Sequence, residues 1–327
     1  MPYTPPFTIT AKIVNLVAEI SAKLARLSLE NDSADSVRLR KVNRMRTIRG
    51  SLAIEGNSLS EEQVTALLDG KHVIAPVKEV QEVRNAILAY ERFSELDPYK
   101  CEDLLTAHGI MALGLVDNPG HFRHGGVCVA GKDGISHIAP PADRVPVLIS
   151  DLFDWLKSAD DHMLIKSSVF HYEFEFIHPF ADGNGRMGRF WQSRLLADWN
   201  PAFANLPVEN MIWEHQAEYY KAIEQSTDAT DSGIFVAFML EVILESIKKH
   251  SSDAPVKVTQ KVTQKVTVNQ EKLLQAIRAQ PYITQSELAA IVGISLKSVK
   301  ENMKKLQERG LLRRVGADKN GYWEIIE

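Results

Sequence analysis

Residues 178–189, HPFADGNGRMGR, gather one histidine, one acid, three glycines and two arginines into twelve positions. Each has a chemical use. An imidazole exchanges its proton near neutrality, so His178 is a candidate general base. Asp182 offers the hard oxygen that Mg²⁺ accepts alongside phosphate oxygens. The run Gly183-Asn184-Gly185 lets the backbone turn tightly and point bare N–H groups at an anion. A helix starting near Arg186 adds its own unpaired N–H groups and dipole. Arg186 and Arg189, three residues apart, share one face of that helix. Together they describe a polyphosphate cradle with a base and a carboxylate at its rim.

The flanking stretches must position this cradle. SSVFHYEFEFI precedes it and FWQSRLLADW follows it, both able to bury themselves. GNGRMG also satisfies G-x-G-x-x-G, and Glu209 follows at about the distance of a ribose-binding acid. That fingerprint needs a preceding buried strand, and Phe170–Phe176 does alternate apolar and polar. Glu173, Glu175 and Pro179 nevertheless spoil it as a parallel strand, which is normally apolar on both faces. A P-loop fails because no Gly-Lys-Ser/Thr follows the glycines. The bland alternative is a glycine-rich turn carrying surface arginines.

HPFADGNGRMGR resembles the signature of the Fic family, H-P-F-x-D/E-G-N-G-R-x-x-R, at every defined position. The resemblance implies a mainly helical fold, with Val169–Ile177 ending a helix. It also implies transfer of AMP from ATP to a Ser, Thr or Tyr hydroxyl of a target protein, and of the enzyme itself. His178 is then the base, and Asp182 the Mg²⁺ ligand. Backbone donors at Gly183–Gly185 and the Asn184 side chain face phosphate oxygens, while Arg186 and Arg189 anchor the outer phosphates, Arg189 the γ-phosphate. The string SLAIEGN, residues 51–57, resembles the family's inhibitory motif S/T-x-x-x-E-G/N. Ser51 and Glu55 stack on one helical face, and Gly56 or Asn57 stops the helix; the resemblance makes Glu55 the inhibitory acid.

Further along, glycines and prolines over 119–141 frame Val127-Cys128-Val129 and Ile135–Ile138 around a GKDG turn, a β-hairpin pattern. By resemblance this is the flap that clamps an extended target segment by strand pairing; Arg123 and Pro140-Pro141 match the family pattern too. His121, His124 and His137 lack a cysteine or carboxylate to complete a metal site, and His108 reads as a packed or surface histidine. In relatives a tyrosine at the place of Tyr220 lines the adenine pocket, often with an asparagine seven residues later; here that residue is Thr227.

The 327 residues suggest two or more domains. With 45% apolar and 24% charged residues, the chain is ordinary for a globular protein. MPYTPPFTIT is no signal peptide, no run is long enough to span a membrane, and two cysteines give no disulfide framework. These features predict a cytoplasmic protein without membrane contact. The net charge of −4 is unevenly spread: from Ala254 onward 13 Lys/Arg face 7 Asp/Glu, giving +6 against −10 before it. Residues 251–270 repeat KVTQ and read as a linker. Beyond them, Glu271–Arg278, Gln285–Val292 and Leu296–Gln307 read as helices and GLLRRVGADKNGYWEII as two β-prone runs, resembling a winged helix. Lys297, Lys300, Lys304 and Lys305, with Arg313, Arg314 and Lys319, fit a phosphate footprint. Protein contact or formation of a homodimer is the alternative use.

The expected organisation is therefore mainly α: an N-terminal helical region at 1–75 with the inhibitory motif, a Fic-type catalytic domain with its flap at 76–250, a linker, and a small α+β winged helix at 271–327. The resemblance covers about 36–250 for the enzyme. Two other functions fit the same residues: removal of AMP, with Glu55 positioning water, and a DNA-binding regulator using the cradle as a nucleotide sensor. An intact His178 speaks against the second, and the retained G-N-G-R against kinase-like Doc chemistry.

Overall fold

The computed structural model describes residues 3–27, 35–131, 134–253, 268–308, 312–315 and 322–325, in two compact units, Met1–Ala254 and Pro255–Glu327. The first is helical: α1 (Ala11–Leu27), α2 (Asp35–Ile54), α3 (Glu61–Leu68), α4 (Val77–Glu91), α5 (Cys101–Met111), a strand pair β1 (Cys128–Gly131) and β2 (Gly134–Ile138), then α6 (Val145–Ser158), α7 (Met163–Ile177), α8 (Asn184–Trp199), α9 (Val208–Glu214), α10 (Gln216–Ala229) and α11 (Gly233–Asp253).

Local chemistry sets several boundaries. Ser60 caps α3 in a complete capping box with Gln63. Helix α2 ends where Gly56 takes φ 87° and the Asn57 N–H reaches back to Leu52 O at 3.1 Å, the left-handed stop that glycine permits. The alternation over Phe170–Phe176 belongs to α7, not to a strand. This helix is buried nearly all round, so its sequence carries no amphipathic period. Several of its polar side chains are paired instead, Ser168 with Leu164 O, His171 with Gln192 and Tyr219, and Glu173 with the Tyr3 hydroxyl, whereas Glu175 Oε1 has no hydrogen-bond partner among the described residues.

Helices α7 and α8 pack against each other and flank the signature turn; α1 lies on α11, and α2 on α9. Gly50 makes the last crossing close. A Cβ there would stand 2.6 Å from Asn210 Cα and 2.7 Å from its N. Strands β1 and β2 pair antiparallel, Cys128 with Ile138 and Val129 with His137, with an irregularity after Val129. Nothing is described of the side chains of residues 128–137. Glu209, the would-be ribose acid, is buried in α9, where Tyr90 and Ser193 donate to it.

The second unit comprises α12 (Val268–Ala279), α13 (Gln285–Val292), α14 (Leu296–Glu308) and strands β3 (Leu312–Val315) and β4 (Tyr322–Ile325), paired antiparallel. Thr284 caps α13 in a second capping box and Gly293 ends it at φ 73°. Leu273, Ile277, Leu288, Val299, Met303 and Leu306 form the core. Lys297, Lys300, Lys304 and Lys305 are exposed on α14. The Arg314 side chain and Lys319 lie outside the described residues.

Gly50→Ala should force α2 off α9 and lower the stability of the first unit by about 1–3 kcal/mol, the usual range for overpacking. Gly126→Ala, with nothing within 4 Å of the added methyl, should stay near wild type. Urea denaturation of both variants measures this; equal midpoints would show that the crossing yields without cost.

Candidate active site

His178 ends α7 in the left-handed region, φ 51°, a conformation a non-glycine residue adopts only when its surroundings insist. Its N–H bonds Phe174 O at 2.9 Å, and Arg123 Nε donates to its carbonyl at 2.8 Å. His178 Nδ1 lies 3.3 Å from Glu175 O. A carbonyl only accepts, so Nδ1 carries the proton and Nε2 is left as the basic nitrogen.

The loop is locked internally. Asn184 Oδ1 accepts from Phe180 N–H at 2.8 Å and its Nδ2 donates to Phe180 O at 2.9 Å. The amide of Asn184 thus pins the loop by pairing both its ends with the Phe180 backbone. Gly183, at φ 86°, caps α8, and its N–H bonds the half-exposed Asp182 carboxylate at 2.6 Å. One carboxylate facing the end of a helix suits a cation that completes its shell with phosphate and water, as Mg²⁺ does. Among the described residues no cluster of three or more His, Cys, Asp or Glu could hold a metal alone.

The two arginines of α8 differ. Arg186 is 4% exposed, and its Nε and Nη1 have no hydrogen-bond partner among the described residues. Glu82 at 3.9 Å is too far to accept, and Asp182 Oδ1 lies 3.4 Å from Nη2. Orphaned donors of this kind suit an anion. Arg189 is engaged at two of its three nitrogens: Nη2 donates to Glu55 Oε1 at 2.6 Å and Ser51 O at 3.0 Å, and Nε to Ser51 Oγ at 3.3 Å. Burial alone would weaken its charge, but Glu55 above all raises its pKa beyond the ordinary range. Gly185 makes room for this pair, since a Cβ there would meet Glu55 Oε1 at 2.3 Å.

Residues 96–196 match the model of the Fic/DOC family, and residues 268–313 that of a winged helix-turn-helix DNA-binding domain. The crystal structure of a Fic family protein from Desulfovibrio desulfuricans G20 is 40% identical, with a TM-score of 0.83 over 99% of this chain and 98% of that one. The chain belongs to the Fic family. A Fic domain-containing signaling protein from Bacteroides thetaiotaomicron shares the fold at 16% identity and a TM-score of 0.57, over 73% of this chain and 95% of that one. Protein adenylyltransferase Fic of Drosophila willistoni is 27% identical over 254 residues, 73% of this chain and 49% of the relative. The chain thus spans about half the length of the curated relatives it matches.

Around the Fic signature the remaining expected residues fall at different depths. Tyr220 is 47% exposed, with its hydroxyl 3.4 Å from Ile54 O. Thr227 is tied to Ile223 O and the Tyr172 hydroxyl. Val127 is half-buried at the start of β1, and His121 and His124 are exposed. Four groups have contacts that sequence reasoning did not reach, although it named Arg123 as a family match and His108 as a packed or surface histidine. Arg123 also donates to Gly125 O, Pro140 O and Ile177 O. His108 stacks on Phe180 and contacts the backbone of Asp182; burial pushes its pKa down to about 4. Beneath α8, burial lowers His171 to about 3 and raises Glu175 to about 8, with Arg189 opposing and Glu55 reinforcing the latter shift. A Cβ at Gly188 would strike both. For His108, His171 and Glu175 the signal is a polar residue inside an apolar run.

The Glu175 pKa is raised from 4.5 to about 8, so the folded state holds this proton more tightly than the unfolded chain. The associated stability is fully present below the unfolded value and drains away as pH climbs through the folded one. Glu175→Gln stays neutral throughout. Between about pH 5 and about pH 9 it should therefore lose less stability than wild type in urea titrations; parallel curves would mean that Glu175 is ionised in the folded protein.

No helix among the described residues is long and apolar enough to cross a membrane.

Proposed function

We propose that the protein is an adenylyltransferase that moves AMP from ATP onto a Ser, Thr or Tyr hydroxyl of a protein target, restrained by Glu55. The observation that carries this reading is the pairing of a histidine, set with Nε2 as its basic nitrogen, with a helix N-terminus bearing one orphaned and one occupied arginine. Arg186 and the N–H groups of Gly183–Gly185 bind the polyphosphate. The target oxygen attacks the α-phosphorus, its proton passes to His178 Nε2, the bond to the bridging oxygen breaks, and diphosphate leaves. Asp182 would hold Mg²⁺, whose charge would offset that of the phosphates. A target segment would add to β1 by strand pairing, through Val127, Cys128 and Val129, beside the base. Tyr220, at the edge of the helix end that bears Glu55, would flank the adenine.

Restraint follows from occupied donors. With Nη2 and Nε given to Glu55 and Ser51, Arg189 has only Nη1 to offer the γ-phosphate, beside a carboxylate that repels it, and a poorly anchored triphosphate presents a misplaced α-phosphorus. A shift of about 1 Å can cost a hundredfold in rate.

The basic winged helix is proposed to bind duplex DNA through Lys297, Lys300 and Lys304 on α14, with Arg314 from the wing. Arg313 is a weaker contributor, because its Nε donates to Glu324 Oε2 at 3.0 Å across the strand pair.

His178→Ala should reduce transfer by ~10²–10⁴-fold while ATP binding and melting temperature change little, measured with ATP labelled on the α-phosphate. A variant transferring at the wild-type rate would remove His178 from the chemistry, and label arriving only from the γ-phosphate would make the reaction phosphoryl transfer.

Glu55→Gly should raise the initial rate of self-labelling strongly, and Ser51→Ala more modestly. Adding Arg189→Ala to Glu55→Gly should return the rate to background, because freedom from the acid is useless without the anchor. If Glu55→Gly labels no faster than wild type, the contact is structural only.

The full chain should shift duplex DNA in a manner that weakens steeply between 50 and 200 mM salt, as about three to six neutralised phosphates imply. Lys297→Ala with Lys300→Ala should weaken binding across all sequences. Salt-insensitive or absent shifts would assign the domain to protein contact.

A further inference from the structure

We infer that His108, on α5, is a positioning residue that presets the loop carrying Asp182 and the helix N-terminus; the inference rests on the reading of that loop as the nucleotide cradle. The ring is 1% exposed and makes three contacts, one with each of its distinct surfaces. Its face stacks on Phe180, centroids 3.6 Å apart and planes 4° apart. Nδ1 accepts the Gly120 N–H at 2.9 Å. Since an N–H can only donate, Nδ1 is the unprotonated nitrogen, and the proton must reside on Nε2. Nε2 therefore donates to the Asp182 carbonyl, 3.1 Å away.

One ring thus joins the two segments that frame the site. Gly120 opens the stretch that leads to Arg123, whose guanidinium holds the carbonyls of Ile177, His178 and Pro140 and whose own N–H bonds Pro179 O at 2.9 Å. Asp182 precedes Gly183, whose φ of 86° aims the first N–H groups of α8. Fixing the Asp182 carbonyl fixes the peptide plane between Asp182 and Gly183. That sets where the Asp182 carboxylate and the cradle donors point relative to His178. His108 touches neither the reacting atoms nor the phosphates in this arrangement; it acts through the backbone of the residue that does.

The two bonds can be separated by substitution. A glutamine amide can stand in for Nε2–H and keep the Asp182 bond while losing Gly120. An asparagine oxygen can stand in for Nδ1 and keep Gly120 while losing Asp182. Phenylalanine keeps the stack alone. Each amide variant leaves one backbone group unpaired, so a residue needed only for stability would make the two equivalent.

In the Glu55→Gly background, His108→Gln should hold kcat for AMP transfer within about threefold of its parent. His108→Asn and His108→Phe should lose about 10–100-fold in kcat, with KM for ATP within about threefold, because Arg186 and Arg189 remain. Equal losses in the Gln and Asn variants, or a change confined to KM, would overturn the inference. Amide hydrogen exchange over residues 182–186 gives an answer independent of activity. Exchange there should quicken in the Asn and Phe variants and not in Gln; unchanged exchange in all three refutes the positioning role. Should the Glu55→Gly parent itself transfer no AMP while exchange follows the expected order, the transfer reading fails and the role of His108 in holding the loop stands.

Discussion

The guanidinium of Arg189 is 1% exposed, and a charge so far from water costs several kcal/mol unless the protein supplies partners in good geometry. All three of its acceptors come from one turn of α2, the Ser51 carbonyl, the Ser51 hydroxyl and the Glu55 carboxylate. That single side chain therefore sets the register of α2 on α8. Much of the local design serves the same contact. Gly50 lets α2 lie flush on α9, and Gly56 ends the helix immediately after the acid. The Ile54 carbonyl, left open by that ending, accepts from Gln216 at 2.7 Å. Gly185 leaves space for a carboxylate oxygen that no other residue would admit, so a glycine of the signature serves the acid as well as the loop.

The signature turn, by contrast, has supports from outside α2. Asn184 closes it on the Phe180 backbone, Arg123 binds its first carbonyls and His108 its carbonyl at Asp182. This division matters energetically. Were the loop supported by the same contacts as Arg189, releasing Glu55 would loosen the base and the cradle together. With separate supports, the acid can leave while His178 keeps its left-handed backbone and its tautomer.

What was legible in the sequence was what is local. The signature and the helix stop at Gly56 each depend on residues within a few positions, so composition and spacing reveal them. Helix α7 was not legible from its period, because a helix buried on every side has none to show; only the resemblance favoured a helix there. The reach of Arg123 to residues more than fifty positions away, and the His171–Gln192 and Tyr90–Glu209 pairs, leave no local trace beyond a polar letter in an apolar run. Asn184 adds a role that the motif does not spell out, because its pairing with the Phe180 backbone appears only once the turn is folded. Arg313 is a third case, since its partner Glu324 appears only once strand register is known.

The unequal state of the two arginines bears on how restraint can work at all. If Glu55 blocked both, the protein would exclude the nucleotide, and a rise in ATP concentration would compete the acid away. Arg186 instead keeps two buried donors without a partner among the described residues, and in the proposed reading a phosphate would pair with them. In the proposed reading, nucleotide therefore binds with Glu55 in place, and restraint acts on the pose rather than on occupancy. An acid that shares the site with its ligand is not displaced by more ligand. Release must then come from something that moves α2, whose hold on Arg189 is one carboxylate, one hydroxyl and one carbonyl on a single turn. Because Glu55 is 39% exposed while the arginine is buried, the acid loses less by departing than the arginine does by being left. In the proposed reading the γ-phosphate would replace the acid's charge beside Arg189 once α2 has moved.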